Sequence, residues 1–126
     1  MRRHVIRSPQ APETAGASQA ISVEVRRLTF VSGQLPVDTA GRILVGGLQE
    51  QVTLVMQNLR YVLEAGGLSL DSLEQVTLYL LDLQDLTAVD EVYRAAFLRP
   101  PPARSVVQVA GLPEGARVMI SAIAGA

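Results

Sequence analysis

The chain has 126 residues, 11 basic and 12 acidic side chains and a formal net charge of −1. That is one domain over residues 1–126, with no overall field favouring nucleic acid as a partner. A composition 48% hydrophobic and 18% charged excludes disorder as the main state. With no Cys and one His (His4), disulfides, thiolate catalysis and multi-histidine metal sites are excluded, and no residue pattern calls for a metal or other cofactor.

Residues 1–7 read as a short strand ending at Ser8-Pro9, and residues 10–16 as a loop. Ser18 to Val25 alternates apolar and polar, as a half-buried strand does. Leu28 to Ser32 is another strand. Arg26-Arg27 between them reads as a turn, so the two are expected to form a hairpin. Ser32-Gly33-Gln34-Leu35-Pro36 breaks the second strand. Gly46-Gly47 opens the clearest helix. Leu48, Val52, Val55, Met56, Leu59, Val62 and Leu63 form its apolar stripe, and Gly66-Gly67 ends it.

Residues 70–74 read as a connection. The run from Val76 to Leu81 is apolar enough for a central strand covered on both sides. Asp85 is a candidate N-cap for a second helix, in which Leu86, Val89, Tyr93, Ala96 and Phe97 share a face and which Arg99-Pro100 stops. Pro100-Pro101-Pro102 stiffens the chain before a strand that begins near Arg104. A guanidinium there is either one half of a surface salt bridge or a fork held for a planar carboxylate. Residues 111–115 are a turn. Arg117 to Ala124 is the last strand, with Val118, Ile120, Ala122 and Ala124 on one face and Met119, Ser121 and Ile123 on the other.

The order β-β-β-α-β-α-β-β gives an α+β domain with a six-stranded mixed sheet. Two helices cover one face only. The other is too apolar for water, so oligomerisation is expected. No apolar stretch reaches membrane-spanning length and the N-terminus lacks a signal-peptide core, which points to a cytoplasmic protein with no membrane partner.

Several segments together resemble the RidA (YjgF/YER/UK114) family of enamine/imine deaminases. They are Ser18-Gln19-Ala20, Phe30-Val31-Ser32-Gly33-Gln34-Leu35-Pro36, Glu64-Ala65-Gly66-Gly67, Val89-Asp90-Glu91-Val92-Tyr93, Pro102-Ala103-Arg104-Ser105 and Ile120-Ser121-Ala122-Ile123-Ala124. The resemblance implies a chorismate-mutase-like (YjgF-type) fold and a homotrimer with ligand clefts between subunits. It implies hydrolysis of 2-aminoacrylate or a related imino acid to a 2-oxo acid. It assigns the substrate carboxylate to Arg104 and the cleft lining to Ser32, Gly33, Gln34 and Val106.

The sequence departs from the family pattern at three places. Ser121 stands where active members carry Glu, Ala17 where they carry Tyr, and Asp90 where Asn is frequent. A carboxylate can take a proton from water and return it to a leaving amine; a lone serine hydroxyl cannot. Ser121 is therefore either a weakened catalytic group that orients water or a purely structural residue. Asp90 either faces the cleft or is a solvated helix residue. Three functional readings stay open: a deaminase with altered chemistry, an enzyme repurposed for a larger acid, and a non-catalytic trimer that binds a carboxylate metabolite. The near-neutral charge and single His count against RNA cleavage, an old label for this family.

Overall fold

The computed structural model describes residues 2–126, so the expected strand start at Met1 lies outside the described residues. Six strands and two helices follow in the expected order. They are β1 (Arg2–Ile6), β2 (Ala20–Glu24), β3 (Leu28–Gln34), α1 (Leu48–Ala65), β4 (Leu73–Leu80), α2 (Leu86–Arg94), β5 (Ala103–Gln108) and β6 (Val118–Gly125). Single 3₁₀ turns occupy Leu70–Ser72, Leu83–Asp85 and Pro113–Gly115. The fold is α+β, two helices with a mixed sheet.

The strands divide into a β1–β2 pair and a four-stranded sheet ordered β3-β6-β4-β5. This corrects the expected single six-stranded sheet and, within it, the expected β2–β3 hairpin. β2 takes β1 as its antiparallel partner, and β3 takes β6. The connection between β2 and β3 does not turn back. Arg26 and Arg27 donate their backbone N–H groups to Ala126 O at 2.7 and 2.9 Å, and Ala126 N–H donates to Arg27 O at 3.1 Å. Those bonds extend the β3–β6 ladder past its end. β4 and β5 run parallel with α2 as the crossover between them, as a helix between two strands favours.

The core lies between α1, α2 and one face of this sheet. Val76, Leu78 and Leu80 of β4 and Val118, Ile120 and Ala124 of β6 are fully buried there against Val52, Val55, Leu59, Leu63, Val89 and Tyr93 of the helices. The alternate residues of both strands are less buried. β4 is therefore central in the sheet but covered by helices on one face only, not on both. Its outward residues are Gln75, Thr77 and Tyr79.

The α1 stripe needs one correction. Val62 is exposed, and Gln51 is buried in its place. Gln51 is satisfied there: its Nε2 donates to Leu44 O and Gly115 O, and its Oε1 accepts from Arg117 N–H. A buried amide whose donors and acceptor are all used carries little penalty. The helix ends as Gly66-Gly67 predicts. Gly67 has φ +75°, and the N–H groups of Gly67 and Leu68 reach back to Glu64 O and Leu63 O, a Schellman closure. α2 stops at Arg94, short of the expected stop at Arg99-Pro100. Asp85 precedes it but does not cap it; its carboxylate accepts from Arg117 Nη2 at 3.1 Å.

The β1–β2 pair is fastened to the opposite side of the sheet from β3. Arg3 Nε donates to the buried Glu74 carboxylate at 2.7 Å, and Arg3 Nη1 donates to Pro100 O. Ser18 Oγ donates to Pro101 O at 2.6 Å and Ser18 N–H to Pro102 O. Proline lacks a donor but keeps its acceptor, so the triple-proline segment serves as a row of carbonyls for this anchor.

Candidate functional site

Arg104 is the second residue of β5, paired with Val76 of β4, and its side chain therefore projects to the helix face. There it is 2% exposed. Its fork meets Asp90 of α2: Nη1 donates to Oδ1 at 2.6 Å and Nη2 to Oδ2 at 3.3 Å. The guanidinium carbon lies 4.8 Å from the centroid of the Tyr93 ring, a cation–π distance. Nη2 also donates to Ala15 O at 3.2 Å, so the loop before β2 covers the group. Gly16 makes that cover possible. It has φ +75°, and a Cβ there would lie 2.9 Å from Arg104 Nη2 and 3.0 Å from Arg94 Nε. Arg104 Nε is buried with no partner among the described residues.

Asp90 is thus buried and turned toward β5, not solvated. Arg94, one helical turn later, also reaches it, with Nη2 3.5 Å from Oδ2. The i, i+4 spacing of Asp90 and Arg94 is visible in sequence; the contact of Asp90 with Arg104 depends on the α2–β5 packing. Val106, two residues after Arg104, shares its face and packs partly buried against the core. Ala17 is half-buried and lines a cavity of about 160 Å³ with Arg7, Glu13, Thr14, Gln19 and Pro101, among others.

Ser121 lies on the other face. It pairs with Thr77, which in turn pairs with Ser105 of β5, so three hydroxyl residues form a row across β6, β4 and β5. The Tyr79 hydroxyl is 3.2 Å from Ser121 Oγ. A shallow cavity of about 220 Å³ lies over this row, bordered by Phe30, Gln75, Thr77, Ser121 and Ile123. No motif marks Thr77 or Tyr79, and Ser105 enters only as the last residue of the Pro102-Ala103-Arg104-Ser105 segment; the two-residue alternation of β4 and β5 identifies all three only once the register is known.

Ser32, Gly33 and Gln34 end β3, with Ser32 and Gly33 exposed. Gln34 Nε2 donates to Ser32 O at 3.0 Å. A Cβ on Gly33 would lie 2.6 Å from the Met119 sulfur, so the position tolerates no larger residue without moving Met119.

Within one chain these groups do not converge. Arg104 and Ser121 occupy opposite faces of one sheet. Arg104 is on β5 and the Ser32–Gln34 segment on β3, the two outermost strands of the order β3-β6-β4-β5. Three strand spacings put them roughly 14 Å apart.

Tyr93 lies on the apolar face of α2, as its spacing predicts, and is fully buried. Its hydroxyl has no hydrogen-bond partner among the described residues. Burial pushes its pKa well above the ordinary 10.0; Arg104 opposes the rise and Asp90 adds to it. All eleven basic residues are arginine and there is no Cys, so tyrosine is the one residue type present whose ordinary pKa lies near 10. A raised folded-state pKa means the unfolded chain loses the proton first. Stability from this group is intact below pH 10 and falls as pH rises toward the folded value, by about 1.4 kcal/mol per unit. Tyr93→Phe is expected to flatten that alkaline limb and to cost nothing at pH 8, because the hydroxyl makes no bond. Urea unfolding of both forms at pH 8 and pH 11 measures this; equal alkaline losses would contradict it.

Among the described residues, no group of three His, Cys, Asp or Glu side chains is placed to hold a metal ion, and no helix is long and apolar enough to cross a membrane.

The chain is similar to known proteins over nearly its whole length. The family model described as Endoribonuclease L-PSP matches residues 8–126. The chain is 45% identical over 126 residues to Protein DfrA of Myxococcus xanthus, covering 98% of this chain and 96% of that protein. It is 39% identical over 124 residues to a 2-iminobutanoate/2-iminopropanoate deaminase of Rattus norvegicus, covering 97% and 89%. Among solved structures, the Rid-family protein YyfB of Yersinia pestis superimposes with a TM-score of 0.91 over 100% of both chains at 24% identity, a likeness of fold. A match to the family model over nearly the whole chain, with relatives well above 30% identity, shows that the chain belongs to the Endoribonuclease L-PSP family, the RidA (YjgF/YER/UK114) family whose motifs its sequence carries.

Proposed function

We propose that this protein binds a small 2-imino or 2-oxo carboxylate in clefts between copies of the chain, as a homotrimer, and hydrolyses the imine with altered chemistry. The observation that carries this reading is Arg104, a buried, rigidly held fork already engaged by a carboxylate, that of Asp90. A site that binds one carboxylate in two-point geometry has the chemistry to bind another. The relative named 2-iminobutanoate/2-iminopropanoate deaminase supports the substrate class. In the reaction, water adds to the imine carbon, the C–N bond breaks, and ammonia leaves as the carbonyl forms.

The separation of Arg104 from Ser121 and Ser32–Gln34 supports clefts shared between chains. Half-sites at opposite edges and faces of one sheet combine only when one copy's edge meets another's face. The open face is mixed, with polar Gln75, Thr77, Ser105 and Ser121 at its centre, which corrects the expectation of a uniformly apolar face; its exposed apolar residues agree with a contact between copies. Phe30 is 72% exposed there, with Leu28 and Val107 also exposed. Phe30→Glu is expected to lower the solution mass from trimer toward monomer, read by light scattering, because it places a charge in the apolar contact. An unchanged mass would remove Phe30 from the interface.

The test of function is release of ammonia and 2-oxo acid from enzymatically generated 2-imino acids. The wild type is expected to exceed the uncatalysed rate, and Arg104→Ala to return to it. Equal rates for the two proteins would reject the reading. One observation favours a second reading, a carboxylate-binding trimer without turnover: the only side chain bonded to Ser121 among the described residues is the Tyr79 hydroxyl, and no carboxylate stands beside it. Binding of pyruvate by calorimetry with no turnover would select that reading. An enzyme for a larger acid would use the space beside Ala17.

A further inference from the structure

We propose that Asp90 is a built-in competitor for the ligand carboxylate, and that Arg94 is the partner to which Asp90 moves when a ligand displaces it; this rests on the carboxylate-binding reading of Arg104. Asp90 uses both terminal nitrogens of Arg104, at 2.6 and 3.3 Å. The rest of the guanidinium is closed off: Ala15 O takes Nη2, the Tyr93 ring lies beneath, and Nε is buried out of reach of solvent. A planar anion arriving from outside therefore meets an occupied fork. Forming the same two bonds requires the Asp90 carboxylate to leave.

A destination lies within reach. Arg94 Nη2 is 3.5 Å from Asp90 Oδ2, on the solvent side of the pair, and the Arg94 side chain is half exposed. A rotation of Asp90 about its own side-chain bonds trades two bonds to Arg104 for closer pairing with Arg94 and leaves no charge unpaired. An open depression of about 390 Å³, bordered by Ala15, Leu86, Thr87, Asp90, Glu91 and Arg94, lies beside the pair and gives the displaced carboxylate room. Ligand affinity is then set by an exchange of carboxylates on Arg104, with Asp90 and Arg94 as positioning residues. Asn in place of Asp90 would keep the shape but surrender the charge, and with it most of the competition.

The test is calorimetric titration of pyruvate into wild type, Asp90→Asn, Arg94→Ala and Arg104→Ala, each checked for folding by thermal unfolding. Asp90→Asn is expected to bind about tenfold or more tightly, a gain that structural damage does not produce. Arg94→Ala is expected to bind several-fold more weakly, because Asp90 loses its alternative partner. Arg94 is half exposed, so that variant keeps the test available should Asp90→Asn fold poorly. Arg104→Ala is expected to bind nothing. Asp90→Asn binding equally or more weakly, or Arg94→Ala binding equally or more tightly, would overturn the competition while leaving Arg104 as the carboxylate site. Pyruvate binding unchanged in Arg104→Ala, or absent from all four proteins, would overturn both.

Discussion

Replacing Ser121 by glutamate is expected to raise turnover of 2-imino acids by about 10² or more, the gain typical of adding a general acid–base. The geometry favours the change. Ser121 stands over a cavity of about 220 Å³, so a longer side chain has space. The Tyr79 hydroxyl at 3.2 Å and the paired Thr77 can donate to the new carboxylate and hold its orientation. That carboxylate can accept a proton from water as it attacks and return it to the departing amine. The rise belongs in kcat rather than KM, because carboxylate recognition remains with Arg104. Ammonia release from enzymatically generated imino acids, followed over a range of substrate concentrations, separates the two. No gain in Ser121→Glu, in a protein that still binds pyruvate, would mean the hydroxyl row serves other chemistry or none.

Arg104→Ala is expected to lose about 3 kcal/mol of stability as well as carboxylate binding. The change strands Asp90, 8% exposed, beside a cavity where its partner was. Removing one member of a buried ion pair costs about 3–5 kcal/mol, since the remaining charge stays desolvated. Arg94, 3.5 Å from Asp90, takes up part of that charge and holds the loss to the lower end. For a domain of this size the melting temperature should fall by roughly 10 °C. The double variant Arg104→Ala with Asp90→Asn should recover much of the difference, because it removes the stranded charge. Arg104→Lys should sit between, retaining charge but not the fork. A single variant as stable as wild type would mean that the Arg104–Asp90 pair contributes nothing to the fold.

The two-residue alternation of β6 is legible down to single residues, with Val118, Ile120, Ala122 and Ala124 inward and Met119, Ser121 and Ile123 outward. The heptad-like stripe of α1 and its Gly66-Gly67 stop were equally legible. These are local patterns, set by backbone geometry over a few residues. Local pattern fails where a neighbour distant in sequence decides. Val62 fits the stripe, yet Gln51 is buried because Leu44, Gly115 and Arg117 supply its partners. β2 and β3 are adjacent in sequence and look like a hairpin, yet each finds a better ladder elsewhere. Tyr79 sits in a run apolar enough for burial on both sides, and only the one-sided packing of the helices leaves it beside Ser121.

The residue sequence alone determined the order of elements, the α+β class and Arg104 at the head of β5, because periodicity and proline or glycine punctuation are encoded locally. The tertiary structure alone decided that Asp90 fills the Arg104 fork, that the loop at Ala15–Gly16 closes over it, and that Arg104 and Ser121 face opposite ways. Those facts depend on strand register and on α2 crossing over β5, contacts between segments whose partners no local pattern names.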